Sequence, residues 1–321
     1  MARIAAASLA AFLTLALGGG HAAADATLRV GKAIAGPFDF TPLDVGVAKG
    51  FYGQRGLTIE EFNFAGSAKL QQALAANAVD IGLGSGPELA FVAKGNTDLG
   101  VAAFAGPPYG LVLVVRIDGP IHAVADLKGR KISVSTVGGL TDWMVHEVSR
   151  QQGWGPDGID VVPLGTDEAQ IAAMRTSLTD GMPLDVASAA LLESKGAAHI
   201  LLPFGTVVHD FINHVTFATS DMMRTHPHEL RAFLAAWFET VKWMRGHKDE
   251  TVALAAPVMG KPLDIAAKAY DIVMPSLSDT GRFDPKGLAT LARSFVEMGT
   301  FAAPPDMAKL YTEEFLPQSP K

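Results

Sequence analysis

The chain has 321 residues, no cysteine, and 33 acidic against 26 basic side chains, for a formal charge of −7. Lack of cysteine excludes disulfides, thiol catalysis and cysteine-ligated metals, and the acidic balance argues against nucleic acid or an anionic membrane as partner. Once an N-terminal leader is set aside, roughly 300 residues remain, near the size at which one core gives way to two.

Residues 1–24 read as an export signal. Arg3 supplies a positive charge, residues 4–17 are an uncharged apolar run too short for a comfortable membrane span, and Ala22-Ala23-Ala24 offers a cleavage site, with Ala26 the alternative. Loss of Arg3 takes the formal charge from −7 to −8. No later stretch approaches about twenty apolar residues, so the mature chain is expected to be soluble. Without a cysteine to carry lipid, it is expected to diffuse freely in the periplasm.

Residues 27–30 form a β-prone run, followed by a turn-rich loop at 35–40 and a helical pattern that ends at Lys49-Gly50-Phe51-Tyr52. A strand at 57–62 follows Gly56, Gly66-Ser67 opens a helix with Leu70, Ala73 and Leu74 on one face, and 79–83 is a third strand. The same landmarks recur about one hundred residues later: strand 131–135, Gly153-Trp154, strand 159–162 after Gly158, Gly165-Thr166 before Ile171, Ala172 and Met174, and strand 185–187. Helices alternating with short apolar strands imply parallel sheets. A duplication on this scale implies two α/β lobes facing a cleft.

Between the copies, 111–115 reads as the strand that leaves the first lobe, and after the second copy 200–203 reads as an edge strand and 215–219 as the return strand. Two crossings make a two-strand hinge. The expected organisation is a first lobe of residues 25–112 and 216–321 and a second of 113–215. From Ser220 the chain reads as helical and is expected to pack on the first lobe. Leu230, Phe233, Leu234, Trp237, Val241 and Met244 mark one helical face before Gly246, and further helices are expected at 263–273, 285–298 and 305–315.

Open α/β sheets bind ligands in the loops at the carboxyl ends of their strands. In the first lobe these loops carry Phe38, Asp39, Phe40, Ser85, Gly86 and Glu88, with Tyr109 in the nearby turn; in the second they carry Thr136, Gly138, Gly139, Leu140, Thr141, Asp142, Trp143 and Ser188. The Gly138-Gly139 turn follows a strand and opens a helix, so its backbone N–H groups and the helix dipole suit an anionic oxygen, unless Thr141 or Asp142 caps the helix instead. Phe38, Phe40, Tyr109 and Trp143 could sandwich a planar group, and Asp39, Glu88 and Asp142 could receive an amine or ring N–H. No arginine falls in these loops; Lys32 and Lys69 are the nearest cations. No nucleophile elbow, phosphate loop or acid and base pair points to an enzyme. His209 and His214 flank Phe211-Ile212 without sharing a helical face, and His226 and His228 bracket Pro227, so neither metal nor cofactor is expected.

The residues 47–52 (VAKGFY), 56–60 (GLTIE), Gly66-Ser67 with Ala73-Leu74, 79–82 (VDIG) and 125–132 (ADLKGRKI) resemble periplasmic solute-binding proteins of ABC importers, above all the group for taurine, alkanesulfonates, nitrate and thiamine precursors. The resemblance covers nearly the whole mature chain. It implies a type II periplasmic binding fold that closes on a small solute, docks on a membrane permease and acts as a monomer, with contacts from Phe38 to Phe40, Ser85-Gly86 and Thr136 to Asp142. Acidic and aromatic loops without arginine favour a heterocyclic, aromatic or aminosulfonate-like solute. Pyrimidine-synthase-like or dehydratase-like enzymes share the fold and form the alternative, as does a subunit that presents its ligand to a receptor.

Overall fold

The computed structural model describes residues 26–137 and 139–318. The expected export signal therefore lies outside the described residues, as does Gly138. The chain begins with β1 (Ala26–Lys32), α1 (Thr41–Ala48), β2 (Leu57–Asn63), α2 (Ser67–Ala75), β3 (Ile81–Ser85), α3 (Leu89–Ala93) and β4 (Leu99–Ala105). It continues with β5 (Leu111–Arg116), β6 (Lys131–Val134), α4 (Leu140–Gln151), β7 (Asp160–Pro163), α5 (Asp167–Arg175), β8 (Gly181–Asp185), α6 (Val186–Ser194) and β9 (Ala198–Pro203). It ends with β10 (His214–Ala218), α7 (Ser220–Thr225), α8 (Pro227–Gly246), α9 (Lys248–Met259), α10 (Leu263–Val273) and α11 (Pro285–Glu297).

Two five-stranded sheets result, ordered β2-β1-β3-β10-β4 and β7-β6-β8-β5-β9. The orders are the same in kind: three parallel strands, one antiparallel strand, and an edge. In each sheet the antiparallel strand is the one whose chain has just arrived from the other lobe. β5, read from sequence as leaving the first lobe, is a full member of the second sheet between β8 and β9, so the crossing itself is the short stretch 106–110. β10 completes the first sheet between β3 and β4.

The duplication reaches down to single residues. Asp80 accepts the backbone N–H of Arg29 at the start of the first sheet, and Asp180 accepts that of Lys131 at the start of the second. The turn before each aspartate holds a non-glycine residue at positive φ, Asn77 at 51° and Ser177 at 61°. One carboxylate in each lobe thus fixes the entry of the first strand against the third.

The stripe expected on α8 is core: Leu230, Phe233, Leu234, Trp237, Val241 and Met244 are all buried, and α8 packs on α1. The C-terminal segment is not confined to the first lobe, however. α10 packs on α6 of the second lobe as well as on the 38–40 turn of the first, and α11 reaches α4. The helix expected at 305–315 is a single 3-10 turn, Met307–Lys309. Its backbone is claimed instead by the edge of the first sheet, where Gly100 N–H donates to Leu310 O (3.1 Å) and Thr312 N–H to Gly100 O (2.8 Å).

Candidate functional site

The two crossings run side by side beneath the carboxyl ends of both sheets. Gly205 N–H donates to Pro108 O (3.1 Å), Asn213 N–H to Ala105 O (3.0 Å), Gly86 N–H to Asn213 O (2.9 Å) and Val186 N–H to Gly110 O (2.8 Å). These bonds tie the loop after β3, the crossing at 106–110, the crossing at 204–213 and the start of α6 into one floor. Tyr109 is half-buried over Gly205, where a Cβ would stand 2.6 Å from its ring.

Over this floor Asp39, only 5% exposed, sits with its carboxylate 3.7 Å from His214 Nε2. Burial pushes the Asp39 carboxyl up from its ordinary value; His214 pulls it down, and Asp185 of the second lobe raises it further. His214 is stacked on Phe104 (5.4 Å between ring centres), tilted against Phe40 (4.8 Å), and has Nδ1 3.2 Å from Gly84 O. Gly110 leaves room for the carboxylate: a Cβ there would be 3.1 Å from Asp39 Oδ2. Sequence reading weighed His214 only as a metal ligand. In the structure it is the first residue of the return strand, one before the 215–219 read from sequence, and stands opposite Ser85.

Several predicted residues are engaged in holding the fold. Phe38 and Phe40 are 2% exposed and packed edge-on against Tyr270 (5.9 Å) and Phe104 (5.9 Å), so neither is a wall for a planar ligand. The Glu88 carboxylate accepts from Ser85 N–H (2.7 Å), Ser85 Oγ (3.2 Å) and Gln71 Nε2 (3.0 Å), a capping box that turns β3 into α3 and occupies the Ser85 hydroxyl as well. Gly86 lies so close to the second crossing that a Cβ would be 2.0 Å from Ile212 O. Lys32, a nearby cation, is buried between Asp44 (2.7 Å) and Glu61 (2.9 Å).

In the second lobe, α4 starts with Gly139 as its N-cap, which has no side chain to place on the first-turn amides. Thr141 does not cap it: its Oγ1 accepts from Ser135 N–H (3.2 Å) and lies 3.1 Å from Ser135 Oγ. Asp142 faces His146 one turn on, Oδ1 to Nε2 3.2 Å, and that hydrogen bond raises the histidine pKa. Thr136 is exposed and Leu140 half-buried at the loop before the helix. Trp143 is 1% exposed: it stacks on Phe211 of the second crossing (5.3 Å) and donates Nε1–H to Glu297 of α11 (2.9 Å). Ser188 is half-buried in the first turn of α6, where Asp185 accepts its N–H (3.0 Å) and that of Ala187 (3.1 Å). Asp167, at the first position of α5, is pushed up to about 6 by burial and by the neighbouring Asp185 and Glu168.

Beside α4 lies a depression of about 310 Å³ whose lining, which includes Val137, Asp142, His146 and Asp157, comes from the second lobe. Facing loops from both sheets, a floor made of both crossings and carboxylates from each lobe suit a small polar molecule held between the lobes. Residues 37–251, which span both sheets, match the NMT1/THI5-like family. The chain belongs to that family.

Among curated relatives, the chain is 28% identical over 223 residues to YtlA of Bacillus subtilis (strain 168), whose name describes it provisionally as a binding protein. That match covers 67% of this chain and 66% of YtlA, so just under two thirds of the relative's length is spanned. Among solved structures, the periplasmic aliphatic sulphonate binding protein SsuA of Escherichia coli superposes with a TM-score of 0.75 at 20% identity, covering 89% of this chain and 92% of SsuA. The desulfurization enzyme DSZB superposes with a TM-score of 0.64 at 17% identity, covering 90% of this chain and 97% of DSZB. At such identities the likeness shows the fold, a two-lobe periplasmic binding protein fold that binding proteins and an enzyme share. Among the described residues, no helix of this family member is long and apolar enough to cross a membrane.

Proposed function

We propose that the protein is the solute-binding component of an ABC-type importer, working in the periplasm as a monomer. It captures a small organic molecule between its lobes and delivers it to a membrane permease without transforming it. The observation that carries this reading is the exchanged pair of crossings: each lobe borrows its antiparallel strand through a short segment, and both segments lie in one floor beneath the facing loops. Such a connection lets two rigid sheets rotate about a shared axis, so closure on a ligand shifts an open and closed equilibrium. DSZB is an enzyme on this scaffold, whereas a chain without cysteine has no thiol nucleophile.

The charges at the floor narrow the solute. Asp39 comes from the first lobe and Asp185 and Asp167 from the second, whereas Lys32 is neutralised by two carboxylates. A bare inorganic anion gains little there. A molecule with an amine or ring N–H for the carboxylates and an acidic group for the first turn of α4 fits both ends, which favours an aminosulfonate or an amino-substituted heterocycle.

A thermal-shift screen of the mature protein against taurine, alkanesulfonates, nitrate, aromatic acids and aminopyrimidines tests this, because a ligand bound only by the folded state raises its melting temperature. A shift of several degrees with an amine-bearing compound is expected, and Asp39→Asn should abolish it. A shift with nitrate or simple sulfonates alone would overturn the charge reading, and no shift with any compound would overturn the assignment of ligand class.

A further inference from the structure

Away from the floor, the two lobes meet where α10 packs on α6, and again between α4 and α11, where four charged side chains and one tryptophan come together. α4 belongs to the second lobe, beside β6. α11 belongs to a segment stitched to the edge of the first sheet, where Ala103 N–H donates to Gly281 O (2.8 Å) and Ala105 bridges Leu277. Between these helices Arg293 grips Glu147 with its two terminal guanidinium nitrogens, Nη1 to Oε2 3.1 Å and Nη2 to Oε1 3.4 Å. Arg150 Nη2 reaches Glu297 Oε2 at 3.0 Å, and Trp143 Nε1–H donates to the same oxygen at 2.9 Å. Both guanidinium groups lie near the Trp143 ring, at 5.9 Å for Arg150 and 5.6 Å for Arg293. Trp143, Glu147 and Arg150 recur at helical spacing, so these three side chains leave α4 on one face.

Each lobe contributes one arginine and one glutamate, and each glutamate also has an arginine on its own helix. Glu147 has Arg150 at 2.8 Å and Glu297 has Arg293 at 3.0 Å. If the lobes part, neither carboxylate is left unpaired, so separation avoids the large penalty of an orphaned charge. When the lobes meet, every group gains a second, oppositely charged partner beside a buried ring. These are the properties of a contact that can be made and broken repeatedly.

We propose that Arg293 with Glu147, and Glu297 with Arg150 and Trp143, form a reversible clasp that sets the balance between open and closed lobes. The clasp positions the amino end of α4 over the floor without touching the solute. Its functional consequence rests on the cleft reading above, whereas its existence does not.

Charge reversal on the ligand-free mature protein tests it, by small-angle scattering at low and high salt. Glu147→Arg places two arginines of the second lobe against Arg293, and Arg293→Glu places two glutamates of the first lobe against Glu147, so each single variant should shift the lobes at least tenfold toward open. In the double variant the pairs across the lobes are restored, while each helix now carries like charges that separate badly, so it should be at least as closed as the parent. The expected order of radius of gyration is double variant, parent, single variants, with the differences shrinking in high salt. Arg293→Gln, on a side chain 45% exposed, is the milder variant and should move the same way. Equal radii in all these proteins, or single variants that open without re-closing in the double, would overturn the clasp. As no ligand is used, neither result bears on which solute is bound.

Discussion

Gly86→Ala puts a methyl group where the loop after β3 meets the second crossing. The added Cβ would lie 2.0 Å from Ile212 O and 3.1 Å from Ile212 C, both backbone atoms, with Leu291 Cδ1 at 3.2 Å. No side chain can swing aside to relieve the backbone contact, so the loop and the crossing must separate by more than an ångström. Forced overpacking costs about 1–3 kcal/mol, and the separation also strains the 2.9 Å bond from Gly86 N–H to Asn213 O, worth about 1 kcal/mol. A loss of about 2–4 kcal/mol follows, or on the order of 10 °C in melting temperature. Because Ser85 and His214 flank the same contact, ligand binding should weaken as well. The control is Gly53→Ala, a site with nothing within 4 Å of the new Cβ, which should stay within about 0.5 kcal/mol of the parent. Urea unfolding of both variants decides the matter. A Gly86→Ala midpoint matching that of Gly53→Ala would refute the idea that this close approach fixes the floor.

Trp143→Ala should lose about 3–5 kcal/mol by opening a large cavity against Phe211, whereas Trp143→Phe keeps the stack, loses only the Glu297 bond, and should cost about 1 kcal/mol. Weaker ligand binding at unchanged stability in Trp143→Phe would instead place this ring in contact with the solute. Asp98 is 1% exposed and burial pushes its pKa up to about 6, so the folded state holds this proton more tightly than the unfolded chain and stability falls as pH rises from about 4 to 6. Asp98→Asn should therefore gain on the parent above that window, by up to about 3 kcal/mol; an equal stability difference at both ends of the range would contradict it. The His146 pKa is raised chiefly by its hydrogen bond to Asp142, so that stabilisation is present below the ordinary histidine value and fades as pH rises through the raised one. Asp142→Asn should consequently cost more at roughly pH 5 than at roughly pH 9, and a pH-independent loss in thermal melts would disprove it.

How far the site could be read before folding differs from residue to residue. Asp39 and Gly139 were reachable, because a loop at a strand end and a glycine before a helix are local signals. Glu88 could be read as a receiver of an amine or as a cap, and the structure makes it a cap, as Ser85 three residues earlier suggests. Trp143 stood at the start of a helix near the expected cleft, yet its partners Phe211 and Glu297 are far away in sequence, and no local pattern announces them.

Hydrophobic period alone determined the alternation of helices and strands, the repeated landmarks and the buried face of α8, since each depends on neighbours within one or two turns of chain. The two-lobe fold followed from the order of those landmarks, and the family likeness from resemblance at motifs such as 47–52 and 125–132. Tertiary structure alone decided that β5 is a member of the second sheet and that His214 stands over Asp39. It also decided that the C-terminal segment serves both lobes, with 305–315 drawn out along Gly100 and α11 clasping α4. These contacts join residues as far apart as Gly100 and Thr312. Their free energy comes from burial and charge pairing that exist only once both lobes have formed, so no window of sequence contains them.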